Sequence, residues 1–252
     1  MWTSARRFAR IAFTLALAGM LIPADGADVK PDKKKSQAAY QRGQKADEAG
    51  LRDQALAAYT EAVQADATNA DALRARARDY LAAGERDNAA ADLDQAVRLQ
   101  PGNPESYMAR GNLFTAGGQT ERAIHDYTTA INLKLERTEV YTARGKAYIA
   151  ARQFDKAIED FTQAIKLRLD NPEPYLGRGI ARAELRKYRD AIEDFDSCIS
   201  RKPDSEEAYV ERALALTGIG DFTRALADLN AALRLNAEDL RARHPLIETA
   251  PC

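Results

Sequence analysis

Residues 138–171 read TEVYTARGKAYIAARQFDKAIEDFTQAIKLRLDN, two helical patterns divided by a short breaker at Ala150 to Arg152. Gly145 stands in the middle of the first. Glycine costs roughly 1 kcal/mol relative to alanine inside a helix, because it gives up more backbone freedom on folding. Its presence therefore needs a packing reason. Two antiparallel helices of about 13 residues fit the stretch if the chain reverses at the breaker. The reversal brings the eighth position opposite the twenty-fourth, so that Phe161 fills the notch left at Gly145 and close packing outweighs the lost propensity.

Outward from this stretch the chain repeats itself. Rows of 34 residues beginning at Ser36, Ala70, Pro104, Thr138, Pro172 and Glu206 align without an insertion and end at Asp239. The eighth column holds Gly43, Ala77, Gly111, Gly145, Gly179 and Ala213. The twentieth is alanine throughout, from Ala55 to Ala225, and the twenty-seventh is alanine except for Cys198. A large apolar residue fills the twenty-fourth: Tyr59, Leu93, Tyr127, Phe161, Phe195 and Leu229. Helix starts are marked as well; Asn103 is placed to cap a helix that begins at Pro104 and Glu105.

These columns, with Pro101 and Pro203 at the thirty-second, resemble the tetratricopeptide repeat family, in which six units over 36–239 imply an all-α, right-handed α-solenoid. Row one departs from the pattern, with Ala39 and Ala46 where bulk is usual. The resemblance also implies a non-enzymatic module that holds an extended peptide or a partner helix in a concave groove. Family members that grip a terminal carboxylate use lysine and asparagine where this chain has Tyr40 and Gln44, so that activity is not expected.

Two polar patterns stand out. The seventh column is arginine in every row, and aspartate fills the twenty-third in five. The antiparallel count pairs Arg76 with Asp92, Arg110 with Asp126, Arg144 with Asp160, Arg178 with Asp194 and Arg212 with Asp228. The expected result is a ladder of partly exposed interhelical ion pairs worth roughly 0.2 to 1 kcal/mol each. Arg42 faces Ala58 and lacks a partner within its row. The second pattern follows from advancing one residue beyond the packed columns, which turns the helix by about 100° to a neighbouring face. There lie Arg74, Arg78, Met108, Asn112, Lys146, Ile149, Leu176, Ile180, Val210 and Leu214. The basic start and apolar finish suggest a bipolar ligand, with coverage of the aliphatic residues by neighbouring repeats as the alternative.

The remaining segments narrow the function. Arg6, Arg7 and Arg10, an apolar run from Ile11 to Ile22 and small residues near Ala24 to Ala27 have the order of a secretory leader. A signal peptide over 1–27, a charged linker over 28–35 and a tail over 240–252 flank the repeats, and a periplasmic or secreted location is expected. Cleavage after Gly26, cleavage after Ala27 and retention as a membrane anchor stay open. Without the leader the net charge is −3, which gives no pull toward nucleic acid or anionic lipid. Cys198 and Cys252 build neither a disulfide framework nor a metal site, and the isolated His125 and His244 offer no ligand cluster. No catalytic motif and no cofactor fingerprint is present. The outcome is a protein- or peptide-binding scaffold; self-assembly of the repeats and binding of a lipid or small apolar ligand in the groove are the alternatives. Pro245 interrupts the tail, so that Leu246 and Ile247 fold back over the last repeat or two chains meet there, with Cys252 able to link them.

Overall fold

A computed structural model describes residues 30–243. The leader and the tail residues Leu246, Ile247 and Cys252 lie outside the described residues. Twelve helices follow one another in pairs: α1 (Lys33–Glu48) with α2 (Arg52–Ala65), α3 (Ala70–Ala82) with α4 (Arg86–Leu99), and α5 (Pro104–Ala116) with α6 (Thr120–Asn132). The last three pairs are α7 (Thr138–Ala150) with α8 (Phe154–Leu167), α9 (Pro172–Glu184) with α10 (Tyr188–Arg201), and α11 (Glu206–Gly218) with α12 (Phe222–Arg243). The ends differ from the register of 34. Asp32 caps α1 by accepting from the Lys35 amide at 2.9 Å, so the first helix begins inside the stretch expected as linker. α12 runs past Asp239 to Arg243. None of the described helices is long and apolar enough to cross a membrane.

The helix boundaries have local causes. Asn69, Asn103 and Asn171 accept hydrogen bonds from the amides of Ala72, Glu105 and Glu173 at 3.0, 3.0 and 3.1 Å, opening α3, α5 and α9. Within each pair the chain reverses through a residue with positive φ at the fifteenth column: Gly50, Gly84, Gly118, Arg152, Arg186 and Gly220. After Arg152 the Gln153 amide reaches back to the Tyr148 carbonyl at 2.8 Å, closing the end of α7. Arg152 and Arg186 hold this conformation at φ of 57° and 58° without the freedom of glycine.

The crossing inside each pair is governed by two columns that vary together. Where the eighth is glycine the twenty-fourth is an aromatic ring; where it is alanine the twenty-fourth is leucine. A Cβ at Gly43, Gly111 or Gly179 would lie 2.4–2.6 Å from the ring of Tyr59, Tyr127 or Phe195, inside van der Waals contact. At Gly145 the corresponding approach to Phe161 is 3.0 Å. Phe161 is also pinned from the next repeat, since a Cβ at Gly177 of α9 would come within 2.3 Å of it. The rings and Leu93 are essentially fully buried, and the alanines of the twentieth and twenty-seventh columns are buried beside them. Leu229 breaks the series at 47% exposure, because no further helix lies against α12 among the described residues.

Each second helix packs on the first helix of its own repeat and, up to α10, on that of the next. First helices also touch one another directly, α3 with α5, α5 with α7, α7 with α9 and α9 with α11. Helices on the inside of a curved stack approach each other, whereas those outside splay. The first helices therefore form the inner wall.

Candidate functional site

The arginine column reaches all five expected aspartates. Arg76, Arg110, Arg144, Arg178 and Arg212 each lie 2.7 Å from Asp92, Asp126, Asp160, Asp194 and Asp228 respectively. The Arg144 guanidinium donates through both Nε and Nη2 to the two oxygens of Asp160, and its counterparts repeat the fork. Burial corrects the expectation of partly exposed pairs: the aspartate side chains are only 1–9% exposed and the arginines 15–19%. Burial raises the Asp160 carboxyl above the ordinary carboxylate range even with Arg144 beside it. Arg42 is corrected too. It pairs with Glu61 of α2, on the surface rather than in the seam.

The guanidinium has a further partner that the paired columns did not disclose. Its Nη1 crosses to the second helix of the preceding repeat, from Arg110 to Asp94 at 2.9 Å, from Arg144 to Thr128 and from Arg178 to Thr162 at 3.1 Å, and from Arg212 to Asp196 at 2.6 Å. These acceptors all stand in the twenty-fifth column. The rings of the fourth and eleventh columns lie beside the same cations, as Tyr141 and Tyr148 do beside Arg144. With its donors used on both sides, the ladder ties repeat to repeat and offers no free cation row to an anionic ligand.

The inner wall divides into two parts. In repeats two and three the expected groove residues are engaged within the fold. Arg74 pairs with Asp71 and reaches Ser106 at 3.3 Å, and Arg78 pairs with Asp47 and Asp79. Asn112 accepts from the Tyr127 hydroxyl at 2.8 Å, and Met108 packs on the core around Tyr127. The basic start is thereby neutralised, and the bipolar ligand loses its cationic anchor. Arg78 and Asp47 also surround Tyr59, whose hydroxyl donates to Asp47 at 2.5 Å.

Repeats four to six open instead into a cleft of about 590 Å³. Of the ten groove residues read from the sequence, Lys146, Ile149, Leu176 and Ile180 line it together. Val210 and Leu214 do not line the cleft. Leu214 is nonetheless 59% exposed on the adjoining wall of α11. Leu176 and Ile180 are half-buried and also pack against the core around Phe195, so each serves the fold and the cleft at once. Thr142, one turn before Lys146 on α7, is buried.

The rest of the cleft comes from positions that helix-face counting missed. Asn171 and Pro172 at the start of α9, Lys202 and Ser205 between α10 and α11, and Glu207 at the start of α11 form its mouth. Gly177 and Cys198 complete the lining. The signal for the mouth was available in the inter-repeat turns, since the same turns recur every 34 residues beside the inner wall. Lys146 pairs with Glu173 across the cleft, whereas Lys202 and Glu207 are exposed. Cys198 is 1% exposed and its thiol is pushed up by burial, the state of an inert packing residue. Apolar side chains with a few charged groups at the rim make a surface suited to binding.

Comparison with known proteins places these features. A profile of the tetratricopeptide repeat matches residues 74–131, 142–206 and 176–239, more than half of the chain. No curated protein matches the sequence. Solved structures that superpose on it include MamA, at 23% identity with a TM-score of 0.62, covering 66% of this chain and 96% of that one. YrrB, described as a TPR protein with an unusual peptide-binding site, is 18% identical with a TM-score of 0.63, covering 74% of this chain and 96% of its own. PilW, a type IV pilus biogenesis factor, is 18% identical with a TM-score of 0.69, covering 83% and 94%. At these identities the likeness is one of fold. Six helical pairs in a constant register, a glycine or alanine at every crossing and the matching profile lead to one assignment: the chain belongs to the tetratricopeptide repeat family.

Proposed function

We propose that this protein is an exported, non-enzymatic adaptor that holds an extended protein segment against the inner wall of repeats four to six. The observation that carries the reading is the cleft over α7, α9 and α11, where Ile149, Leu176 and Ile180 sit below a charged rim of Lys146, Glu173, Lys202 and Glu207. An extended peptide presents side chains for the apolar floor and polar backbone for the rim, so the mixed lining suits it better than a lipid chain. The peptide-binding site named for YrrB supports the same class of occupant. The basic, apolar and small-residue order of residues 1–27 supports export and a role in the cell envelope.

Capture from an envelope extract tests the reading. The substitutions Lys202→Glu and Leu214→Asp fall on exposed side chains of the wall, so helical content is unchanged and stability stays within about 0.5 kcal/mol of the parent. Binding of the captured protein weakens at least tenfold in the double variant. Undiminished capture by that variant, with the fold intact, rules out this wall as the binding surface. Aspartate at Leu176 is a poor probe, because that residue also supports the core around Phe195.

A further inference from the structure

Asp79 is a carboxylate set in an apolar column. The tenth position of a row packs on the core of the preceding repeat, and from row three on it is Leu113, Ala147, Ala181 and Ala215, all 0–6% exposed. In row two it is Asp79, only 3% exposed. One of its oxygens is served and the other is not: Oδ1 accepts from the Arg78 guanidinium at 3.3 Å, while Oδ2 meets no donor among the described residues. A buried carboxylate without its full set of donors is costly when ionised, and a proton removes the larger part of that cost.

The surrounding groups do not make up the deficit. Arg78 also pairs with Asp47 of α1, so two carboxylates draw on one guanidinium. Arg52 of α2, itself exposed, attracts the Asp79 charge, and Asp47 repels it. Tyr40 of α1 and Tyr59 of α2 keep their protons, both raised above the ordinary tyrosine value by burial. Toward the following repeat, Asp92 and Asp94 of α4 are held by Arg76 and Arg110, and Glu105 of α5 by Arg137, while Arg86, Asp87 and Arg98 of α4 are exposed. Burial accordingly holds the Asp79 carboxyl above its ordinary range, with Arg78 opposing the rise and Asp47 adding to it.

The joint that carries this charge is built mainly from small residues, Ala39, Ala62 and Val63 of repeat one on Ala70, Ala72 and Leu73 of repeat two. In a linear array an end repeat opens at the cost of its own stability and of one joint, so the state of Asp79 acts on repeat one before any other. We infer that Asp79 makes this joint a pH-sensitive latch: its ionisation loosens repeat one from the stack, and its protonation seats it. A carboxyl raised in the folded state penalises the joint in full above its folded pKa, and the penalty fades as pH drops toward the unfolded value of about 3.9. The latch is independent of what the cleft holds.

Amide hydrogen exchange on the purified chain, corrected for intrinsic rates, reads the opening of α1 and α2 against that of α5 and α6. From pH 7 to pH 4.5 the relative protection of α1 and α2 should rise at least about threefold. Asp79→Asn keeps the shape of the side chain, and Asp79→Ala installs the residue of rows four to six; each should abolish that rise. A relative protection that ignores pH in the parent overturns the proposal. A rise that survives in either variant overturns it equally, because the titrating group then lies elsewhere.

Discussion

Each first helix has two faces that the sequence treats differently. The seam face, at the fourth, seventh, eighth and eleventh columns, repeats nearly the same chemistry along the stack: a guanidinium forked onto a buried aspartate in five repeats, and a small residue under a large one in all six. The wall face, at the fifth, ninth and twelfth, changes from Arg74 and Arg78 to Leu176 and Ile180 along the stack. A side chain that must fit an identical neighbour in every repeat cannot vary without strain. One that faces the open wall can, and there the repeats acquire individual character.

The comparison breaks most sharply at the ladder. Removing one member leaves a buried charge with no partner, so Asp160→Leu alone, which strands the Arg144 guanidinium, should cost about 3–5 kcal/mol. The double substitution Arg144→Met with Asp160→Leu should recover most of that loss, since burial already raises the Asp160 pKa and the pair brings little net gain. Urea unfolding of the two singles and the double completes the cycle. A cost for Asp160→Leu below about 1 kcal/mol would show the seam to be as tolerant as the wall.

The glycines sharpen the same contrast. A methyl group at Gly179 must displace the buried ring of Phe195 from 2.5 Å, whereas one at Gly145 meets Phe161 at 3.0 Å. Gly179→Ala should cost about 1–3 kcal/mol net, and Gly145→Ala less, because the gain in helix propensity offsets a milder clash. Thermal melts of both variants check the order; equal or reversed effects would mean that the crossing is not set by these contacts.

The smallest effect belongs near the wall. Glu211 is held above the ordinary glutamate range by burial, then by Glu207 and Glu184. A carboxyl whose folded pKa is raised holds its proton more tightly when folded. Its charge therefore weakens the fold above the folded pKa, and the penalty fades as pH drops below the unfolded value near 4.3. Glu211→Gln should stabilise the protein by a few tenths of a kcal/mol at neutral pH and by nothing below about pH 4. Denaturation midpoints at pH 7 and pH 4 give the comparison, and a gain that persists at the lower pH would point to packing instead of charge.

The constant register of 34 residues determined the repeat number, the helix pairing, the Gly145–Phe161 contact and the five aspartate partners. These are contacts inside one hairpin, where the turn fixes which columns meet. The tertiary structure alone decided what depends on neighbouring repeats: the third arm of each arginine to Asp94, Thr128, Thr162 or Asp196, the depth at which the aspartates are buried, and the mouth of the cleft from Asn171, Lys202 and Ser205. Distance along the chain carries no such information. How far one hairpin turns on the next is settled by side-chain shape across their joint, and that turn decides whether Arg78 meets Asp47 and whether Leu176 lines an open groove.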